Sequence, residues 1–271
     1  MENKKYVIGA DIGGTTVKLG LFEEDGTLLE KWEIPTVIEG DGTAVLRDIA
    51  AEIQKCREKH NIPADGILGV GAGIPGPVTA DGVVHRCVNL GWGVFDVRTA
   101  LEETVGLPVV VVNDANAAAM GEAWKGGGRG SENVVFITLG TGVGAGIVIG
   151  GELYCGHDTG AGEIGSIPYL DRDYEYYCSS RFFVGRGTTG KEAYERALAG
   201  DPAALALWHE FGGHIGRLVM MILYAYDPEA IVFGGSIAHA YGFFREAMYE
   251  QLKQFPYAKT VERLHICCSS V

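Results

Sequence analysis

The stretch at residues 8–21, IGADIGGTTVKLGL, decides the fold of this chain. It sets a glycine- and threonine-rich segment, 13–16, between two apolar flanks typical of strands, with one carboxylate, Asp11, at the end of the first flank. Glycine lets a backbone turn sharply and approach another group closely. A tight turn with free N–H groups and neighbouring hydroxyls forms a concavity for a phosphate, although an ordinary β-hairpin turn would have the same sequence character.

A second copy of this stretch favours the phosphate interpretation. The segment 14–21 recurs as 140–147, with Gly, Thr, Val and Gly in matching positions and an apolar, strand-like run after each copy. Around each copy the pattern predicts three strands, followed by helices that alternate with further strands. The sequence therefore predicts an α/β protein with duplicated βββαβα halves that face a cleft, an N-terminal domain at 1–114 and a C-terminal domain at 115–271.

A doubly wound dinucleotide-binding fold is the rival interpretation of the second copy. Gly140, Gly142 and Ala145 fit the spacing of the dinucleotide fingerprint. That fingerprint must open a helix, whereas residues 147–150, Ile-Val-Ile-Gly, have the character of a strand. The dinucleotide interpretation is therefore rejected.

The composition excludes several classes of protein. A chain of 271 residues with 47% hydrophobic and 21% charged residues is typical of a soluble globular protein. A net charge of −13 argues against a nucleic-acid partner, which needs a basic face. The six cysteines include no Cys-x-x-Cys pair, as expected of free thiols in a reducing compartment. Because neither a signal peptide nor a membrane-spanning apolar run is apparent, we expect a cytoplasmic protein without membrane contact.

Five short motifs, in this order along the chain, resemble those of the ROK (repressor, open reading frame, kinase) family, whose sugar kinases have the two-domain actin/hexokinase-like, ribonuclease H-like fold. They are DIGGTT at 11–16, NDANAA at 113–118, LGTGVGAG at 139–146, GEIG at 162–165 and IVFGGS at 231–236. In the family they correspond to the first phosphate motif, the catalytic segment, the second phosphate motif, a sugar-binding segment and the adenosine turn.

The resemblance implies ATP as the phosphate donor, bound by both glycine-threonine turns and by the later glycine pair. The residues assigned to ATP and its phosphates are Asp11, Gly13, Gly14, Thr15, Thr16, Lys18, Gly140, Thr141, Gly142, Gly144, Gly234 and Gly235. Asp11 would also hold Mg²⁺, usually through water, because Mg²⁺ dehydrates reluctantly; a turn-capping aspartate is its alternative role. Lys18 is as well explained as an ordinary strand lysine.

The sugar-binding residues implied by the resemblance are Gly76, Asn89, Asn113, Asp114 and Glu163. Asp114 is the expected general base, since it follows an apolar strand and a carboxylate there can accept the proton of an attacking hydroxyl. Its alternative role is the N-cap of the following helix, which Asn113 could supply instead. Glu163 is expected to accept from a sugar hydroxyl, with a solvated loop glutamate as the alternative. The alternative interpretation of Asn89 is an ordinary turn residue. Trp92, which is nearby in the sequence, is expected to pack against other side chains rather than bind the sugar.

The sequence departs from the family in its zinc segment. Ser166 stands where most members have a histidine, and the segment 176–181, which supplies three cysteines in relatives, keeps only Cys178. One thiol and no histidine cannot form the tetrahedral site of a structural zinc, so no zinc is expected. The same changes remove a histidine and a glutamate that contact sugar in relatives.

The resemblance therefore implies an ATP- and Mg²⁺-dependent kinase of a hexose or N-acetylated aminosugar, similar to glucokinases, fructokinases or N-acetylmannosamine kinases. A non-catalytic sugar-binding regulator or an inactive family member is the alternative. Regulators of the family carry a DNA-binding segment before the first phosphate motif, and the few residues there and the acidic charge argue against one. The sequence leaves open which sugar is used and whether the chain forms a homodimer.

Overall fold

The computed structural model describes residues 4–38 and 42–270. The chain divides into two compact units, the first comprising Met1–Ala117 and His157–Thr159, the second Ala118–Gly156 and Gly160–Val271.

Each unit contains one five-stranded sheet and its helices. The strands are β1 (Tyr6–Ile12), β2 (Thr16–Glu23), β3 (Leu28–Pro35), β4 (Ile67–Ile74), β5 (Val83–Val84), β6 (Phe95–Asp96), β7 (Val109–Asn113), β8 (Val134–Leu139), β9 (Val143–Ile149), β10 (Glu152–Leu153), β11 (Pro168–Tyr169), β12 (Arg172–Asp173), β13 (Ala230–Gly234) and β14 (His265–Cys268). The helices are α1 (Ala44–Lys59), α2 (Val97–Val105), α3 (Asp114–Trp124), α4 (Tyr174–Cys178), α5 (Ser180–Val184), α6 (Gly190–Leu198), α7 (Pro202–Tyr226), α8 (Tyr241–Leu252) and α9 (Ala258–Arg263).

Among the described residues, no helix combines the length and apolar character that a membrane crossing requires.

The two sheets have the same topology. Their strand orders are β3-β2-β1-β4-β7 and β10-β9-β8-β13-β14. In each sheet, the first three strands along the chain pair antiparallel. The fourth strand pairs parallel with the first, and the fifth pairs parallel with the fourth. The predicted α/β fold with duplicated halves is therefore confirmed. The rejection of the dinucleotide interpretation is also confirmed, because a strand, β9, and not a helix follows the second glycine-threonine turn.

The core of the first unit follows from the alternation of its strands. Ile8, Ala10 and Ile12 of β1 are buried, and every second residue at the start of β2 is buried likewise. The apolar face of α1 covers this side of the sheet. Such burial on one face is what a strand period of two and a helix period of 3.6 residues produce.

The core of the second unit is built from aromatic side chains and the fully buried strand β13. Asp201 caps α7 by accepting from the N–H groups of Ala203 and Ala204, and Pro202 occupies the first turn. The segment 155–190 contains two short helices, α4 and α5. Asp173 and Ser179 cap them, and burial against α7 stabilises helices too short to form alone.

Candidate functional site

The first glycine-threonine turn joins β1 to β2 and is closed by a backbone hydrogen bond and by one from the Thr36 side chain. Gly13 N–H donates to Thr16 O at 3.0 Å, and Thr36 Oγ1 donates to Gly13 O at 2.6 Å. A Cβ on Gly14 would lie 2.8 Å from the carbonyl oxygen of Asn89, so only glycine fits there. The turn therefore rests directly against the segment in which the sequence predicted a sugar-binding asparagine.

Asp11 and Lys18 face each other across the β1–β2 pair. Lys18 Nζ lies 3.5 Å from Asp11 Oδ2, and both side chains are about half exposed. Exposed ion pairs of this kind contribute little to stability, so both groups remain available to a ligand at the end of β1. Their assignments to Mg²⁺ and phosphate stay predictions.

The carboxyl ends of three parallel strands bring Asp11 and Asp114 to the same edge of the first sheet. Asp11 pairs in register with Gly73 of β4, and Ile74 of β4 pairs with Asn113 of β7. A Cβ on Gly73 would lie 3.6 Å from Asp114 Cα, which shows how closely β4 approaches the start of α3. In open α/β sheets ligands bind at such carboxyl ends.

Asn113, and not Asp114, acts as the principal cap of α3. Its Oδ1 accepts from the N–H groups of Ala115 at 2.9 Å and Asn116 at 3.2 Å. Its Nδ2 donates to Gly76 O at 3.1 Å and to Asp114 Oδ1 at 3.0 Å. Because Asn113 supplies the cap, the alternative role considered for Asp114 is already filled, and Asp114 is held in place by its neighbour.

The pKa of the Asp114 carboxyl is raised above the ordinary value of 3.8. The main cause is partial removal of water by the surrounding protein; the Ala115 N–H opposes it, and the negative charge of Asp11 adds to it. The side chain nevertheless still reaches solvent. A carboxylate that is accessible and more basic than usual is suited to accept a proton.

The loop between β4 and α2 supplies the other sugar-binding residues predicted in the first unit. Gly76 has φ +108°, which favours glycine, and its carbonyl accepts from Asn113. Asn89 is exposed in a single 3-10 turn, Val88–Leu90. Trp92 is buried, donates its indole N–H to Gly42 O at 3.1 Å and packs edge-on against Phe95. Trp92 is thus a packing residue, as expected.

The second glycine-threonine turn joins β8 to β9 and contacts Glu175, a residue that sequence reasoning missed together with its partner Arg181. Glu175 Oε2 accepts from Val143 N–H at 3.3 Å and lies so close to Gly142 that a Cβ there would clash with it. Arg181 Nη2 pairs with Glu175 Oε1 at 2.8 Å. The signal available in the sequence was the cap of α4, which places an acidic residue in the first turn of a short helix.

The predicted adenosine turn lies beside the second glycine-threonine turn. Gly234 of β13 pairs with Thr138 of β8, two residues before the turn at 140–142. Gly235 has φ +82°, and a Cβ there would strike the backbone of Leu139. The structure therefore brings these two predicted nucleotide segments together at one edge of the second sheet.

Glu163 also belongs to the second unit and is exposed at the start of a 3-10 turn, Ile164–Ser166. Two glycines fix this segment against β9: a Cβ on Gly162 would clash with Ala145 O, and one on Gly165 with Val143 O. Within the second unit, Glu163 and Glu175 are thus both anchored beside the beginning of β9. In the first unit, Asp11, the first turn, Asn89 and Asp114 form the corresponding group.

The segment that departs from the family's zinc motif is filled by side chains. Cys178 is completely buried, and burial raises the pKa of its thiol well above the usual value. Tyr169 stacks on Tyr174 with ring centroids 4.4 Å apart, and its hydroxyl lies 3.1 Å from His214 Nδ1. The His157 side chain is 99% exposed. The expected absence of zinc from this segment stays a prediction.

Comparisons with solved structures assign the fold to the class of hexokinase-type sugar kinases. The ROK hexokinase from Thermus thermophilus is similar with a TM-score of 0.81 at 28% identity, covering 98% of this chain and 93% of that one. A ROK family glucokinase from Streptomyces griseus, in complex with glucose and AMPPNP, is similar with a TM-score of 0.78 at 28% identity, covering 97% and 94%.

Sequence comparison then gives the family. The ROK family model matches residues 7–269. The glucokinase of Halalkalibacterium halodurans is 34% identical to this chain, and the match covers 87% of this chain and 82% of that protein. This chain belongs to the ROK family, and the resemblance inferred from the five motifs is confirmed.

Proposed function

We propose that the protein transfers the γ-phosphoryl group of ATP to a hydroxyl of a hexose or an N-acetylated aminosugar, with Asp114 as the general base. At the coarser level it is a sugar kinase, a phosphotransferase with an alcohol group as acceptor. The observation that carries the finer proposal is the carboxylate of Asp114. It lies at the carboxyl end of β7, it is held by Asn113, and its pKa is raised.

Phosphoryl transfer needs positioning and charge neutralisation more than covalent chemistry from the protein. A sugar hydroxyl within about 3 Å of Asp114 would donate its hydrogen to the carboxylate and pass the proton to it as the oxygen attacks phosphorus. Asn113 keeps the carboxylate oriented while this happens. The N–H groups and threonine hydroxyls of the two glycine turns would bind the phosphates of ATP.

The residues at the end of β1 fit a water-mediated magnesium ion. Asp11 presents a half-exposed carboxylate there, and its partner Lys18 is also half exposed and 3.5 Å away. When bound with ATP, Mg²⁺ would neutralise charge on the β- and γ-phosphates. Lys18 could then turn from Asp11 towards a phosphate oxygen at little cost, because the exposed pair is weak.

Carboxylates of the second unit have proposed roles of their own. We assign Glu163 to a sugar hydroxyl because it is exposed on a segment whose glycines fix it against β9. Glu175 and Arg181 would hold the second turn in shape, since Glu175 already accepts from Val143 N–H. Glucose is the first candidate substrate, because a relative is named a glucokinase and a similar structure contains glucose.

The proposal is tested by measuring ADP release from Mg²⁺-ATP across a panel of hexoses and N-acetylated aminosugars. The expected result is sugar-dependent ADP release with equal formation of sugar phosphate, strongest for one or two members of the panel. The Asp114→Asn variant serves as the inactive control. Sugar binding without turnover by any member would instead support a non-catalytic regulator or an inactive family member.

The fall of kcat/KM at low pH should report the pKa of Asp114. We expect kcat/KM to fall as the pH is lowered, because only the ionised carboxylate accepts a proton. Since this pKa is raised above 3.8, the loss should begin at higher pH than for an ordinary aspartate. The measurement is a pH profile of kcat/KM at saturating ATP, with circular dichroism showing that the chain stays folded. A constant kcat/KM down to the ordinary aspartate range would contradict the assignment.

A further inference from the structure

Three side chains with different metal-binding atoms meet in the first unit, outside every segment assigned above to nucleotide or sugar. They are Glu30 of β3, Cys56 of α1 and His60, which ends α1. One ligand atom from each lies within 4.8 Å of the other two. Among the residues that the structure describes, this is the one such set of three histidine, cysteine or acidic side chains.

The local structure explains why these side chains converge. Cys56 and His60 are four residues apart and so share one face of the helix end. His60 N–H donates to Cys56 O at 3.1 Å, which closes the last turn. Glu30 lies on the same face of β3 as Trp32 and Ile34, which pack against the core that contains Cys56.

The Glu30 carboxylate is oriented by its neighbours His60 and Lys59. His60 Nε2 lies 2.6 Å from Glu30 Oε2, and Lys59 Nζ contacts the other oxygen, Oε1. The Cys56 thiol is buried, and burial and then the charge of Glu30 raise its pKa. It would release its proton to solvent as a metal–sulfur bond forms.

We propose that Glu30, Cys56 and His60 form a binding site for a borderline divalent cation, best matched by Zn²⁺. Sulfur, imidazole nitrogen and carboxylate oxygen are the donors that zinc uses, and three protein ligands leave a fourth position for water. Lys59 stays on Oε1, so that the carboxylate binds through Oε2 alone. The bound ion links β3 to the end of α1 and stabilises the first unit.

This site is separate from the family's zinc segment and does not depend on the proposed kinase activity. The sequence predicted a protein without zinc, because Ser166 and residues 176–181 cannot form the family's site, and this proposal departs from that prediction. Zinc carried by the purified protein is assigned to Glu30, Cys56 and His60, and not to Cys155, Cys178 or His157.

The test is titration of the metal-depleted, untagged full chain with Co²⁺ and then Zn²⁺. We expect one equivalent of Co²⁺ to give a thiolate-to-cobalt charge-transfer band in the near ultraviolet, and Zn²⁺ to remove that band. Zn²⁺ should also raise the melting temperature, because a ligand of the folded state stabilises it by mass action.

Three variants identify the site. His60 follows the last residue of α1 and its side chain is 31% exposed. The His60→Gln variant should lose stoichiometric metal binding, while its circular dichroism spectrum and its sugar phosphorylation stay unchanged. Lys59→Met should keep the stoichiometry and weaken binding roughly 10–100-fold, as loss of an outer partner of a ligand does. Cys155→Ser removes a thiol outside the cluster, and this variant should bind Co²⁺ and Zn²⁺ as the unaltered protein does. Absence of the band from the unaltered protein, or its survival in His60→Gln, would overturn the proposal.

Discussion

Replacing Asp114 with Asn should lower kcat for sugar phosphorylation by at least about 10²-fold, the low end of what a general base contributes. Asn has nearly the same shape, and its side-chain oxygen can still accept from the Ala115 N–H that Asp114 bonds at 2.8 Å. It cannot take up the proton of the attacking hydroxyl. The measurements are steady-state kinetics with the preferred sugar and titration calorimetry of sugar binding, which should remain detectable.

The same substitution should leave the fold intact or slightly more stable at neutral pH. The folded-state pKa of Asp114 lies above 3.8, so its protonated form is favoured by the fold. That contribution is fully present below the unfolded pKa and is lost as the pH rises through the raised folded value. At neutral pH the partly desolvated charge therefore weakens the fold, and Asn removes it. Near-full kcat with an unchanged melting curve would exclude Asp114 as the base.

Asp96→Asn is a matched control for this variant. Asp96, like Asp114, lies at the N-terminus of a helix in the first unit, and its Oδ1 accepts from Thr99 N–H at 2.9 Å and its Oδ2 from Thr99 Oγ1 at 2.8 Å. These bonds lower its pKa, so its charged form stabilises the fold above the ordinary aspartate range. Asp96→Asn should therefore melt at a lower temperature at neutral pH and keep its activity, the reverse of the result expected for Asp114→Asn.

Replacing Glu122 with Ala should destabilise the second unit by about 3 kcal/mol, because it removes two hydrogen bonds and leaves their donors without a partner. Glu122 is 0% exposed near the end of α3. Gly127 N–H donates to its Oε2 at 2.7 Å, and Ser269 Oγ donates to its Oε1. Alanine would leave the partly buried Gly127 N–H without its partner and a void where the carboxylate packs against Gly126.

The melting temperature of Glu122→Ala should fall by roughly 6–12 °C, by the usual relation between stability and melting for domains of this size. Glu122→Gln retains one acceptor oxygen and should lose less. Glu195→Ala, on the exposed face of α6, should change stability by less than about 0.5 kcal/mol. Equal melting of Glu122→Ala and Glu195→Ala would show that the buried carboxylate does not hold α3 to the segments at 127 and 269.

The features that could be predicted from the sequence were those with a local and repeated pattern. The two copies of the glycine-threonine stretch, each with its alternating apolar strands, indicated the duplicated sheets. The position of Asn113 and Asp114 between a strand and a helix could be predicted because an apolar run ends there and a helical pattern follows. Both assignments depend on residues adjacent in the chain, where strand period and capping chemistry act directly.

The features that escaped prediction depend on contacts between distant segments. Glu175 reaches the second turn because α4, a helix of five residues, is held in place by burial rather than by its own propensity. Nothing in the sequence around Glu122 indicates its burial, and its carboxyl contacts Gly127 and the distant Ser269. Glu30 meets His60 because of the register of β3 and the rotation of α1. None of these relations is encoded in a short stretch of sequence.

The close approach of Gly14 to Asn89 matters for anyone who would redesign the substrate preference of this protein. No side chain at position 14 can be accommodated unless the backbone at position 89 retreats. Libraries that randomise the loop around Asn89 will therefore also shift the first glycine turn, so selected variants should carry altered nucleotide affinity together with new sugar selectivity. Screening such libraries at several ATP concentrations would separate the two effects.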